Sequence, residues 1–380
     1  MKISITPTPQ HRVFPPVSEL GFGRHFADHM FLVNYNSEEG WHEPRIVPYD
    51  SFQMEPANLT LHYGQTIFEG LKAFRWSDNS VHLFRPKDHI SRFQRSAERL
   101  CMPTFDENML LDAFKALVNI DRNWVPSQRG TALYLRPTMM ATDNALGVRP
   151  SKSYVLFIIT SPVGSYYAKG LAPTRILVEE KFSRTAIGGL GDAKTAANYA
   201  ASLLAAEEAK RRGFDQVLWL DSQEHGYVEE VGTMNIFFVI GGTLITPPLG
   251  GTILDGITRR TVIELAHEWN IPFEERRISM SEVVEAYENR TLQEVFGSGT
   301  AAVISSVGEL FYKGHAMTLE EPADSLRARF YNTISAIQHG EMADTHGWTT
   351  LVPLSTNGNG NGNGSHKKLE EIIPGEEARG

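Results

Sequence analysis

Short apolar runs and helical stripes alternate along this chain. Val155, Leu156, Phe157, Ile158 and Ile159 are contiguous, as are Ile236, Phe237, Phe238, Val239 and Ile240. Runs of this length, bounded by polar turns, predict buried strands. Strands are expected at 80–84, 154–159, 176–179, 216–221 and 231–240. Over 88–100 the spacing turns helical: Ile90, Phe93, Ala97 and Leu100 fall on one face, and Asp88 is placed to cap the start. A long helix is predicted over 196–212, supported by Glu207 and Arg211 at i,i+4 and stopped by Gly213. Another opens near Gly256 and turns Val262, Leu265, Ala266 and Trp269 inward. Strands and helices without strict βαβ alternation predict an α/β chain of the mixed α+β kind.

The turn-rich stretch 164–174 lies between two predicted strands and divides the chain. The expected organisation is a smaller N-terminal α/β domain (1–165), a connecting loop (166–173), a larger C-terminal domain (174–353) and a tail (354–380). From 357 to 364 the tail repeats Asn-Gly four times. Asn and Gly tolerate left-handed backbone and bring no apolar area, so this end is expected to be a disordered linker and tail.

Composition narrows the class. The 380 residues are 41% hydrophobic and 21% charged, an ordinary globular mix. A net charge of −9 argues against a general nucleic-acid or membrane-surface binder, whose footprint is basic. No apolar run approaches the roughly 20 residues that span a bilayer. The N-terminus has no apolar signal region, and Pro7, Pro9, Pro15 and Pro16 would break an amphipathic transit helix. A cytoplasmic location follows as the expectation. The single cysteine, Cys101, leaves no intrachain disulfide and no CxxC pair. No HExxH occurs among the 13 histidines, so no metal is expected.

The most chemically loaded stretch is GGLGDAKT (188–195). It misses a phosphate-binding P-loop by one residue, Ala193 standing where the second glycine belongs. A nucleotide-dependent ATPase is therefore a rival reading, and a flexible loop with a solvated lysine the bland one. A lysine held between close-packed glycines and a helix also suits Schiff-base chemistry, since desolvation favours the neutral, nucleophilic amine. A pyridoxal cofactor adds three demands. Its phosphate wants helix N-termini and an arginine, its phenolic oxygen a hydrogen-bond donor, and its ring nitrogen a carboxylate. Arg92, Tyr199, Glu230, the Gly256-Ile257-Thr258 helix start and the Gly297–Ala301 turn are candidates. Taken singly, each is more often a surface or core residue.

Eight ordered blocks then resemble a known family: LHYGQTIFEGLKAF (61–74), FRPKDHISRFQRSAERLCMP (84–103), YLRP (134–137), GGLGDAKTAANY (188–199), QVLWL (216–220), EVGTMNIF (230–237), TPPLGGTILDGITR (246–259) and FGSGTA (296–301). Over about residues 20–353 the chain resembles branched-chain amino acid aminotransferases, two-domain pyridoxal-phosphate enzymes of fold type IV. The resemblance implies that the C-terminal domain binds pyridoxal 5′-phosphate. Lys194 would be the Schiff-base lysine and acid/base, Tyr199 the partner of the phenolic oxygen, and Glu230 that of the pyridinium nitrogen. Arg92, the backbone at Ile257 and Thr258, and Thr300 would hold the phosphate. Phe22, Tyr63, Phe68, Tyr134, Tyr166, Thr233, Met234 and Ala301 would wall the substrate pocket. Arg136 would meet the side-chain carboxylate of glutamate or 2-oxoglutarate, a structural ion pair being the competing reading. The implied activity exchanges amino groups between leucine, isoleucine or valine and 2-oxoglutarate in a ping-pong cycle, in a cytoplasmic homodimer. D-amino-acid transamination, aminodeoxychorismate cleavage and a catalytically silent pyridoxal-binding protein remain alternatives. Some animal members carry a redox CxxC after this turn; Ala302, Val303, Ile304 and Ser305 stand there, so thiol switching of that kind is not expected.

Overall fold

The computed structural model describes residues 2–164 and 172–354. The expected contact of Tyr166, most of the expected connecting loop and the Asn-Gly tail lie outside the described residues. Among them, no helix is long and apolar enough to cross a membrane.

The strands form two mixed sheets of nine strands each. The first runs Ser4–Ile5, Gly40–Pro48, His29–Asn36, Ser153–Val163, Ala132–Ala141, Leu71–Arg75, Val81–Phe84 and Thr349–Leu351, with Thr66–Phe68 paired to Ala132–Ala141. The last of these strands comes from the far end of the chain, and Val352 beside it is buried in the same core as Phe93 and Leu133. In the second sheet six strands close into a ring: Val228–Val231, Gln216–Leu220, Thr174–Val178, Val303–Tyr312, Leu292–Gly299 and Met234–Ile240, which pairs back to Val228–Val231. Closure removes free edges from these strands. One buried cluster joins Ile176, Leu218, Val231, Ile236 and Leu310 of the ring. A further cluster joins the two sheets, setting Phe74, Phe84, Tyr134 and Val163 of the first against Phe237, Phe296 and Phe330.

Several local expectations change. The strand predicted over 231–240 is a hairpin: Val231 pairs with Met234 across Gly232-Thr233, and Gly232 takes the positive φ (58°) that tight hairpin turns require. The helix predicted over 196–212 is two, Ala196–Ala201 and Leu203–Arg211, because the Ser202 hydroxyl donates to the Tyr199 carbonyl and breaks the ladder. Arg211 donates to the Glu207 backbone carbonyl, not to its carboxylate. Asp88 is not the cap of its helix. That helix is Pro86–Arg99, with Pro86 in the first turn after Arg85 in left-handed conformation, and Asp88 accepts from Arg85 Nε at 2.7 Å. The Ile90, Phe93 and Ala97 stripe does enter the core. Trp269, expected inside, is half-buried just past its helix Ile257–Glu268.

Candidate active site

Between the two sheets lies a cavity of about 480 Å³, a size typical of small-molecule sites. It is lined by Phe22, Phe68, Arg92, Tyr134, Arg136, Lys194, Tyr199, Glu230, Thr233, Met234, Ile257, Thr258, Thr300 and Ala301. Tyr63 does not line it. The helix Leu59–Tyr63 is capped by Asn58 and ended by left-handed Gly64, which leaves Tyr63 43% exposed with its hydroxyl donating to the Leu146 carbonyl.

Lys194 is fixed through its backbone. Its amide donates to Ser96 Oγ at 2.9 Å, and its carbonyl accepts from Phe68 N at 3.0 Å. Ser96, Arg92 and His89 lie at helical spacing on Pro86–Arg99, away from the Ile90 stripe, so one helix serves core and cavity with different faces. Lys194 Nζ donates to the Tyr199 hydroxyl at 2.7 Å and stands 5.0 Å from the centre of the Phe68 ring. The preceding loop does not form a phosphate nest. The amides of Gly189 and Ala193 bond to the Ala186 and Leu190 carbonyls, and Asn198 Nδ2 ties down Leu190 and Ala193. Its glycines serve close packing instead: a Cβ on Gly191 would come 2.4 Å from the backbone of Thr252. Gly191→Ala is therefore expected to cost about 1–3 kcal/mol, the range for overpacking, read as a lowered thermal midpoint.

Glu230 stands on Val228–Val231 at the opposite end and is 3% exposed. Its Oε1 accepts from Asn235 Nδ2 at 2.9 Å, and its Oε2 is 2.6 Å from Arg184 Nε. Burial pushes the carboxyl up to about 6, against the opposing pull of Arg184. Arg184 is held by the Gly191 and Thr252 carbonyls. Neither Arg184 nor Asn235 was singled out from the sequence; Arg184 lies in no recognisable motif, and only the fold brings it to Glu230.

The third corner is built for an anion. Helix Ile257–Glu268 starts without a side-chain cap, so the amides of Ile257 and Thr258 at the cavity wall are free of one. A Cβ on Gly256 would lie 1.9 Å from Asn235 Oδ1, so this helix start tolerates only glycine. Ser298 Oγ, near the end of strand Leu292–Gly299, is buried and has no partner among the described residues. Arg92 is clamped by Glu69, with Nε to Oε1 at 2.6 Å and Nη2 to Oε2 at 2.9 Å, and its Nη1 donates to the Asp255 carbonyl. Burial would raise the Glu69 carboxyl, but the charge of Arg92 and hydrogen bonds from His89 and Arg92 hold it well below the usual carboxylate range. Glu69 sits inside the block LHYGQTIFEGLKAF, yet its neighbours give no sign that it faces Arg92.

The remaining walls are aromatic. Phe22 meets Tyr134 edge-on at 4.9 Å. Arg136 donates to the Tyr134 hydroxyl at 3.0 Å, and its guanidinium carbon lies 4.8 Å from the Phe68 ring centre. Arg136 Nε is buried without a partner, and among the described residues no carboxylate makes an ion pair with this side chain. The cavity thus joins an amine, a buried carboxylate, an anion cradle and an apolar wall carrying one cation.

The family profile for amino-transferase class IV matches residues 66–310. Branched-chain-amino-acid aminotransferase 2 of Bacillus subtilis (strain 168) is 48% identical over 357 residues, covering 94% of this chain and 98% of that protein. The crystal structure of the Escherichia coli branched-chain amino acid aminotransferase superposes with a TM-score of 0.72 at 27% identity, over 86% of this chain and 99% of that one. A further solved branched-chain amino acid aminotransferase (from T.th), complexed with N-(5′-phosphopyridoxyl)-L-glutamate, gives 0.67 at 27% identity, over 84% and 98%. On a profile and a relative of this extent, the chain belongs to the class IV aminotransferases, in the branched-chain aminotransferase family.

Proposed function

We propose that the chain is a pyridoxal-phosphate-dependent transaminase that exchanges amino groups between L-leucine, L-isoleucine or L-valine and 2-oxoglutarate, as a homodimer in the cytoplasm. The observation that carries this reading is one cavity with Lys194 beside Tyr199, Glu230 at the far end and an uncapped helix start next to Arg92. Those groups fit the three polar ends of a pyridoxal phosphate, and the orphaned Ser298 hydroxyl belongs to a residue that lines the same cavity. Bound there, the cofactor supplies an aldehyde that condenses with amines and a ring that accepts electrons released at the substrate Cα.

The chain's own residues have distinct roles. Arg92, Thr258, Thr300 and the first amides of Ile257–Glu268 hold the phosphate. Glu230 keeps a proton on the ring nitrogen placed against it, the state in which the ring draws electrons best. Lys194 Nζ takes the proton from the substrate Cα, with the Tyr199 hydroxyl fixing its position. Phe22, Phe68, Tyr134 and Met234 give a branched aliphatic side chain apolar contact, with Thr233 and Ala301 completing the wall. Arg136 and the Tyr134 hydroxyl meet the second carboxylate when glutamate or 2-oxoglutarate binds. The relative crystallised with a phosphopyridoxyl-glutamate adduct supports a pocket of this family that takes the cofactor and glutamate together. Purified protein is expected to convert 2-oxoglutarate to glutamate in the presence of L-leucine. Turnover with D-alanine and none with L-leucine would overturn the reading in favour of D-amino-acid transamination.

A further inference from the structure

Arg92 lines the cradle but cannot by itself balance a phosphate dianion, because Glu69 shares its charge through two short contacts. The other charges nearby form a balanced chain: Asp255 pairs with Arg95 and Arg260, Arg260 also reaches Asp88, and Arg85 joins Asp88 to Glu264, while burial pushes His89 down, towards its neutral form. With Lys194 assigned to the aldehyde and Arg136 to the second carboxylate, one further cation stands behind the cradle. Lys72, on strand Leu71–Arg75, is 7% exposed, donates to the Ala301 carbonyl at 2.8 Å, and among the described residues makes no ion pair with a carboxylate. It borders a small void of about 10 Å³, room for one water, together with His89, Thr258 and Thr300. Lys72 therefore sits directly behind two of the groups that face the anion.

Resting on the pyridoxal-phosphate reading above, we propose that Lys72 is the counter-charge of the phosphate, acting from behind the Thr258 and Thr300 side of the cradle without touching the ligand. A buried ammonium with no acid beside it is costly in an apo protein. An arriving dianion offsets that cost across a protein-like dielectric, where one unit charge acts over several ångströms. The hydrogen bond to Ala301 has a second effect, holding the turn that carries Thr300 at the cavity wall. In accord with this placement, burial pushes the Lys72 amine down to about 8. The titratable or charged groups packed around it are His89, His339 and Arg129. Burial pushes both histidines down, and Arg129 is paired with Glu341. Lys72 is thus the group among these that changes charge between pH 7 and 9.5.

The test compares pyridoxal 5′-phosphate with pyridoxal, which lacks the phosphate, by titrating the apo-protein and following the absorbance of the lysine-bound chromophore. Lys194 and Tyr199 face both ligands alike, so the ratio of the two affinities isolates the phosphate arm. Lys72→Met is expected to weaken pyridoxal phosphate by between about tenfold and a hundredfold, with pyridoxal unchanged. In the wild type the ratio should be highest below pH 8, fall as pH rises above it, and be flat in Lys72→Met. Equal losses for both ligands, or a wild-type ratio that ignores pH across this range, overturn the proposal. Should the variant fail to fold, the wild-type pH profile decides alone. A wild type that binds neither ligand at Lys194 would instead overturn the pyridoxal-phosphate reading itself.

Discussion

Lys194→Ala is expected to abolish leucine-dependent transamination, by at least about 10⁴-fold, because it removes the general base and the nucleophilic amine together. The fold should survive. What holds this segment is backbone, namely the bonds to Ser96 and Phe68 and the bridge between Ile67 and Thr195. The side chain itself donates one hydrogen bond, to Tyr199. Losing a bond of that kind costs about 0.5–1.5 kcal/mol, a shift of no more than a few degrees in thermal midpoint. Glutamate formation and a melting curve on one preparation check both halves. An active variant sinks the role given to Lys194, and an inactive variant that has also unfolded shows that the backbone anchors do not suffice.

Arg136→Met is expected to separate the two half-reactions. A hydrogen bond to a charged group contributes about 1.5–3 kcal/mol, so kcat/KM for 2-oxoglutarate should fall about 10- to 150-fold. The leucine half-reaction should change far less. Some common loss is expected, since the guanidinium rests on Phe68 and Tyr134, and such contacts are worth about 0.5–2 kcal/mol whichever substrate is present. The discriminating quantity is therefore the ratio of the two rates, measured as single turnovers from each direction. Were Arg136 merely a prop for the aromatic wall, leucine and 2-oxoglutarate would suffer equally.

What could be read before folding was whatever sequence spacing encodes locally. The Ile90, Phe93 and Ala97 stripe lies in one helix, and periodicity alone puts it in the core. Lys194, Glu230 and the Gly256 helix start were nameable because each sits in its own compact block, and the fold brings them to one cavity. Long-range pairings leave no such trace. Closure of the six-stranded ring depends on Val231 meeting Met234 across Gly232, while the apolar run there reads as one continuous strand. Arg184 meets Glu230 from 46 positions away, and neither residue's neighbours announce the other. The break at Ser202 and the role of Asp88 escaped the sequence for a local reason. A hydroxyl or carboxylate in or beside a helix has several possible partners, and tertiary context chooses among them. Tyr63 stands exposed at the end of the short helix that Gly64 closes, outside the cavity of its own chain, and its block gives no sign of that.

The strand Thr349–Leu351 sets a timetable for synthesis. Its partner Val81–Phe84 leaves the ribosome more than 260 residues earlier. At about 5–20 residues per second that is a wait on the order of tens of seconds. Throughout it, the outer edge of the first sheet offers unpaired backbone groups, and the place of Val352 in the core stands unfilled. Newly made chains are therefore most open to edge-to-edge association before their last residues emerge, and a chain stopped short of residue 349 never leaves that state.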